Sequence, residues 1–361
     1  MTANLCSKKQ CKKKQAKFII GGLLFFLLTL GSVKSYQAPD DNITFGETHS
    51  KHIIFDTDMG NDIDDALALA MLHAFESRQE AKLLAVTITK DNKWAAPYVD
   101  LLNTFYGRGE IPIGMVQDGK KPKSKDMIQV PAQKKHPDGS FVYPHDLTDG
   151  SAAPEAVDLL RRILAEEPDG AVTIVQVGFS TNLARLLDSP GDSQSPLTGK
   201  ELVKRKVRLL SIMAGAFPTG ERNYNVYVDL PSAKKLFAEW PTRMVASGYQ
   251  VGKSILYPAS SIQHHYNYVE NHPIADAYRH YMDMPYDRPS WDLTSVLYAV
   301  RPDDGYFHLS EPGKISVEDD GKTSFQLSED GMHQYLTVND KQRWRSLEAM
   351  VYLSSQPPSP Y

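Results

Sequence analysis

The chain has 361 residues, 41% hydrophobic and 23% charged, with a formal net charge of −4 at pH 7. That length and composition suit an ordinary globular protein with a sizeable core. They exclude a general nucleic-acid binder, because no basic excess exists to meet phosphates.

In chain order, Lys8, Lys9, Lys12, Lys13, Lys14 and Lys17 form a basic run, and the stretch FIIGGLLFFLLTLGSV that follows carries no charge. A basic region, a short apolar region and small residues at Val33 and Ser35 predict a secretory signal over residues 1–35, cut after Ser35. The protein is therefore expected to be exported to a periplasmic or extracellular space. The alternative is an uncleaved anchor, although sixteen apolar residues are slightly short for a bilayer span. Membrane attachment is expected only through that segment. Cys6 and Cys11 both precede the apolar run, so a mature form starting near Tyr36 holds no cysteine. That excludes a disulfide framework and thiol catalysis.

Residues 36–50 read as a polar linker and 51–353 as one domain. KHIIFDTD reads as a buried strand, DDALALAMLHAF as a helix, AKLLAVTIT as a strand, WAAPYVDLLNTFYG as a helix and IPIGMV as a short strand. A polar stretch, residues 117–151, is long enough to be a functional loop. Alternation then resumes with a helix at 156–164, strand AVTIVQVG, helix TNLARLLDS, strand RLLSIMAG, helix PSAKKLFAEW and strand RMVASG. Two further helices are expected at 274–282 and 293–300, a β-hairpin within 306–327, a closing helix at 340–353 and a disordered tail over 354–361. Strands alternating with helices predict the α/β class, with a mostly parallel central sheet, helices on both faces and a small C-terminal β-hairpin addition.

The stretch IIFDTDMGNDIDDALAL sets five carboxylates within ten residues, directly after an apolar run. Like charges this close raise one another's pKa and oppose folding unless a cation joins them. In an open parallel sheet, ligands bind beyond the carboxyl ends of the strands. Asp56 and Asp58 fall at that end of the first strand, and Asp64 and Asp65 fall in the first turn of the next helix. Oxygen ligands at this density suit Ca²⁺ or Mg²⁺. Taken singly, Asp64 or Asp65 reads as a helix cap and Asp56 as a loop anchor. The spacing also resembles an EF-hand loop, but KHIIF is a strand rather than the helix such a loop needs. The apolar run before Asp56-Thr57-Asp58 resembles the haloacid dehalogenase phosphatases, in which the first Asp is a nucleophile.

Four motifs in order resemble the inosine–uridine-preferring nucleoside hydrolase family, over residues 51–353. DTDMGNDIDDALAL is similar to its opening D-x-D-x-G-x-D-D-A pattern, with two extra residues. VGFSTNLARLL, NYNVYVDLPSA and SWDLTSVLYAV are similar to its later segments. The resemblance implies one Ca²⁺ per site and hydrolysis of the N-glycosidic bond of ribonucleosides. Carried over by motif, it implies that Asp58, Asp65, the Thr181 carbonyl and Asp292 bind the metal, with Asp58 also the general base for the attacking water. Asp64, Asn92, Asn223 and Asn225 fall where the family contacts ribose. Asp56 falls behind them as a residue that orients the loop.

The chain departs from the pattern at three places. Asn223 replaces a Glu, with Glu221 two residues earlier as a substitute. The loop between Met213 and Asn223 is short. Trp291 stands where many members carry a His that protonates the leaving base. Trp291 reads either as a packed aromatic or as a plate for the nucleobase. The purine-preferring branch of the family also has Trp here, so on the second reading the resemblance implies purine preference and leaving-group activation by stacking, with Trp94 as the opposing plate. His145, His264 and His265 are alternative acids, although a lone loop His is more often simply solvated. The leading expectation is a secreted Ca²⁺-dependent nucleoside hydrolase whose partner is a small ribonucleoside, with a homo-oligomer left open. Its rivals are a non-catalytic nucleoside- or ribose-binding protein of the same fold, and a Mg²⁺-dependent phosphatase acting through Asp56.

Overall fold

The computed structural model describes residues 50–359. The expected signal segment and all of the expected linker before Ser50 lie outside the described residues.

Runs rich in β-branched and aliphatic residues form the strands, since such side chains pack well on a pleat covered on both faces. These are β1 (Lys51–Thr57), β2 (Ala81–Lys90), β3 (Ile113–Lys120), β4 (Val172–Gln176), β5 (Val207–Met213) and β6 (Arg243–Ser247). They lie in parallel in the order β6-β5-β4-β1-β2-β3, so β1 sits near the middle. Alternation along β1 decides which core each residue joins. Ile53 and Phe55 enter one apolar cluster and Ile54 enters the other, across the sheet. Helices Asp64–Ser77, Ala95–Phe105 and Trp291–Val300 contribute to the first cluster, and helices Ala156–Glu166 and Leu230–Glu239 to the second.

The remaining strands are β7 (Leu256–Tyr257), β8 (Arg288–Pro289), β9 (His308–Leu309), β10 (Gly313–Val317), β11 (Thr323–Leu327) and β12 (His333–Thr337). β7 and β8 form a separate antiparallel pair. The expected hairpin is β10 and β11, and it is not a free-standing addition. β12, which the sequence reading did not anticipate, pairs in parallel with β6 and antiparallel with β10, so the hairpin extends the central sheet. Its HQYLT sequence alternates too weakly to announce a strand. Helix Gly199–Lys206 was also unanticipated. Its charged sequence buries only Gly199, Leu202 and Val203, and a Thr198–Glu201 capping box starts it.

The polar stretch 117–151 carries a short helix, Gln129–Gln133, and a 3-10 turn, Gly150–Ala152. The closing helix runs Asp340–Ser354, and the tail does not begin there as expected. Ser354 is buried with its hydroxyl 2.9 Å from that of Tyr257, and Gln356 accepts from Arg78 Nε at 3.3 Å. Among the described residues no helix is long and apolar enough to cross a membrane.

Candidate active site

The turn after β1 is built by short-range polar bonds. Thr57 Oγ1 accepts from the Met59 N–H at 3.1 Å and itself donates to Asp65 Oδ1. Gly60 takes φ +92°, where a Cβ would meet Ile128 Cδ1 at 2.4 Å, so glycine is required there. Asp62 Oδ1 accepts from the Asp64 N–H at 3.1 Å and thereby leads the chain into helix Asp64–Ser77. The partial positive charge of that helix start favours the carboxylates of Asp64 and Asp65. From the bend that follows β4, Gly178 approaches so closely that a Cβ would lie 2.4 Å from the Asp58 nitrogen.

The far end of the chain completes the cluster. Asp292 opens helix Trp291–Val300, and its N–H donates to Asp64 Oδ2 at 3.1 Å across a separation of 228 residues. One carboxylate oxygen from each of Asp62, Asp64 and Asp292 lies within 4.8 Å of the other two. Two unit charges about 5 Å apart repel by roughly 3 kcal/mol at an effective dielectric near 20. The carboxyl groups respond accordingly. Burial and the charge of Asp62 push Asp58 up to about 8. Burial and Asp58 hold Asp65 well above the usual carboxylate range, and burial and Asp65 do the same to Asp292. Burial pushes Asp56 up to about 7, against hydrogen bonds from Thr87 and Asn182.

Two cations offset part of this charge. Lys90, with no exposed surface, donates from Nζ to the Gly60 carbonyl at 3.1 Å. Arg288 Nη2 reaches Asp62 Oδ2 at 2.7 Å. Asp58 Oδ2 and Asp64 Oδ1 remain buried without a hydrogen-bond partner. Such orphaned, hard, anionic oxygens are what a divalent cation takes as ligands.

Asp58, Asp62, Asp65 and Asp292 line a cavity of about 470 Å³. The facing wall is aromatic and cationic, made by Tyr224, Tyr227, Tyr249, Tyr281, Trp291, Arg222 and Arg288. Asn223 and Asn225 also line it. Asn223 Oδ1 is buried and unpartnered, and Asn225 donates from Nδ2 to the carbonyls of Val177 at 2.6 Å and Met213 at 3.0 Å. Trp291 Nε1 donates to the Tyr249 carbonyl at 3.0 Å and its ring stacks on that of Tyr249, with centroids 5.6 Å apart.

Other expected site residues lie outside the cavity lining. Asn92 is not in the cavity lining, but its amide abuts the acidic turn, with Nδ2 3.5 Å from where a Cβ on Gly60 would stand. Its Nδ2 donates to Ser124 Oγ at 3.2 Å and its Oδ1 accepts from the Trp94 N–H at 3.0 Å, which makes it the cap of its own turn. Thr181 lies at the start of helix Thr181–Asp188 with its hydroxyl on Asp229 Oδ2 at 2.5 Å. Asp56 sits behind the turn, its Oδ1 accepting from Thr87 at 2.6 Å and from Asn182 at 2.9 Å. Asp64 meets the cluster through the Asp292 N–H rather than through the cavity surface. Glu221 is exposed and outside the lining. Trp94 and His145 line a different, smaller cavity, and neither His264 nor His265 reaches this one. The sequence reading gave no role to Asp62, Lys90 or Arg288. Asp62 was visible within the acidic stretch, but its pairing with Arg288 spans 226 residues and leaves no local signal.

The description "Inosine-uridine preferring nucleoside hydrolase" belongs to the family model that matches residues 53–351. The chain belongs to this family. Among curated relatives of this nucleoside hydrolase family member, the pyrimidine-specific ribonucleoside hydrolase RihA of Citrobacter koseri is 32% identical over 197 residues, 51% of this chain and 56% of that protein. RihA of Salmonella newport is 30% identical over 217 residues, 55% of this chain and 60% of that protein. The match thus spans little more than half the length of these relatives. Among solved structures, a plant nucleoside hydrolase, PpNRh1, superposes with a TM-score of 0.61 at 22% identity, covering 85% of this chain and 99% of that one. An inosine-guanosine nucleoside hydrolase gives 0.61 at 18% identity, with 84% and 99% covered. These likenesses establish the nucleoside hydrolase fold, and the aspartate cluster of this family member is chemically able to hold a metal ion.

Proposed function

We propose that the protein hydrolyses the N-glycosidic bond of ribonucleosides with a bound Ca²⁺. The observation that carries this reading is the meeting of Asp292 with the Asp58–Asp65 turn at the floor of the cavity. The ion would be held by Asp58, Asp65, Asp292 and the Thr181 carbonyl, with Asp62 added to the expected set. When bound, a divalent ion lowers the pKa of a coordinated water and orients it. The residues of the chain do the rest. Asp58 takes the proton from the attacking water. The side-chain oxygens of Asn223 and Asn225 receive the ribose hydroxyls and, with the carboxylates of the floor, stabilise the cationic sugar electrostatically, while Asp64 braces Asp292 from behind. Asp56, fixed by Thr87 and Asn182, keeps the turn in register.

The expectation of purine preference is not carried forward. Trp291 already stacks on Tyr249 and bears the Arg288 guanidinium over its ring, and the curated relatives named above are pyrimidine-specific. The phosphatase reading has no support, since Asp56 does not line the cavity. Export remains part of the proposal, supported by the basic and apolar N-terminal sequence.

The test is ribose release from a panel containing inosine, cytidine and uridine, before and after chelation and with calcium restored. Calcium-dependent release from at least one of them is the expected result. Nucleoside binding without release would favour the binding-protein alternative.

A further inference from the structure

Breaking C1′–N sends the bonding electron pair onto the base, so the departing group gains negative charge. The acidic floor of the cavity can only oppose that charge, and no histidine lines the cavity among the described residues. Arg222 and Arg288 are the cations that line it. Arg222 is exposed, with its guanidinium 4.5 Å from the Tyr227 ring centroid. Arg288 is half-buried, and its guanidinium lies over two rings of the wall, 4.9 Å from the Tyr281 centroid and 5.1 Å from that of Trp291. One arm is fixed on Asp62, while Nε is buried and has no hydrogen-bond partner. A cation that lines the cavity and is held in place by Asp62 and by the rings of Tyr281 and Trp291 is a fixed positive charge for stabilising negative charge as it develops.

Resting on the nucleoside hydrolase reading above, we propose that Arg288 is the electrophilic catalytic residue that stabilises the departing base. The guanidinium remains protonated throughout and donates hydrogen bonds to the base as the C1′–N bond breaks and its electron pair moves onto the base nitrogen. Water oxygen bonds to C1′, its proton passes to Asp58, and that proton is returned through solvent to the released base. Removing such a donor costs on the order of a hundredfold to a thousandfold in rate. The loss should depend on the leaving group, because a stable phenolate needs no such help.

The experiment compares wild type, Arg288→Met and Arg288→Lys on the best natural nucleoside and on p-nitrophenyl β-D-ribofuranoside. Arg288→Met is expected to lose roughly a hundredfold or more in kcat/KM on the nucleoside and less than about fivefold on the nitrophenyl riboside. Arg288→Lys, which keeps the charge but not the fork, should recover part of the nucleoside rate. Thermal melts with and without calcium accompany each variant. Equal losses on both substrates would overturn the role and leave Arg288 as a counter-ion for Asp62, as would losses that track a reduced calcium-induced rise in Tm. Should wild type release ribose from neither kind of substrate, the nucleoside hydrolase reading itself falls, an outcome distinct from failure of the Arg288 role alone.

Discussion

The acidic floor of the cavity and its aromatic wall differ in where their residues come from and in how their polar groups are satisfied. The floor rests on the ends of parallel strands and on two helix starts, Asp64–Ser77 and Trp291–Val300. Its carboxyl groups are buried, crowded and partly unpartnered. The wall comes from short helices and the segments beside them, such as Tyr224–Tyr227 and Tyr249–Ser254, and its rings contact one another and nearby cations. The floor therefore carries uncompensated charge that a cation would relieve, while the rings of the wall are already packed on one another. Changes to the floor should act on activity, metal response and stability together, and changes to the wall should act on substrate choice.

The largest expected effect tests the floor. Asp58→Asn should lower ribose release by about a thousandfold or more, roughly 4 kcal/mol of transition-state stabilisation. The same variant should melt at a higher temperature than wild type without metal, because it removes a buried ionisable group. A metal-free Tm below that of wild type would contradict the view that crowded charge destabilises the floor.

Next in size is the pH dependence of the metal-free protein. Asp56 and Asp58 titrate near 7 and 8 in the fold, and Asp65 and Asp292 also lie above the ordinary range near 4. The folded state thus binds more protons than the unfolded state between those limits. Stability from these groups is full below about pH 4 and is lost as pH rises through 7 and 8. Metal-free Tm should fall on the order of 5 °C from pH 5.5 to 8.5, and excess calcium should flatten the trend by replacing the protons. A metal-free Tm that rose over the same interval would mean that the carboxyl groups are already compensated.

The smallest effect belongs to the wall. Trp291→Phe keeps a ring but loses the bond to the Tyr249 carbonyl, which costs about 1 kcal/mol. It should change the ratio of kcat/KM between purine and pyrimidine nucleosides and leave the calcium-induced rise in Tm unchanged. Loss of the calcium response would tie this part of the wall to the floor.

Much of the floor was legible in the sequence because its residues are close neighbours with a chemical excess. Five carboxylates after KHIIF define a charged strand end before any fold is known, and the late Ser290-Trp291-Asp292 motif supplied the partner. The strand and helix alternation was legible for the same reason, since each element carries its own apolar pattern. What escaped depends on distant pairing. β12 is a strand because β6 and β10 flank it, and helix Gly199–Lys206 is held by a cap and two apolar side chains rather than by a strong stripe. Asn92 follows the second strand, and the fold adds what the sequence does not show, its bonds to Ser124 and to the Trp94 amide beside the Gly60 turn. Lys90 falls one residue past the expected strand AKLLAVTIT, and only the fold reveals an ammonium sealed beneath the Gly60 carbonyl.

The bond from the Asp292 amide to Asp64 has a consequence for biosynthesis. The acidic turn is synthesised early, but Asp292, which completes the carboxylate cluster, follows more than two hundred residues later. A chain ending before helix Trp291–Val300 lacks Asp292 and so cannot complete the carboxylate cluster. The cluster is therefore a property of the finished fold, assembled only when the last third of the chain has packed against the first strand.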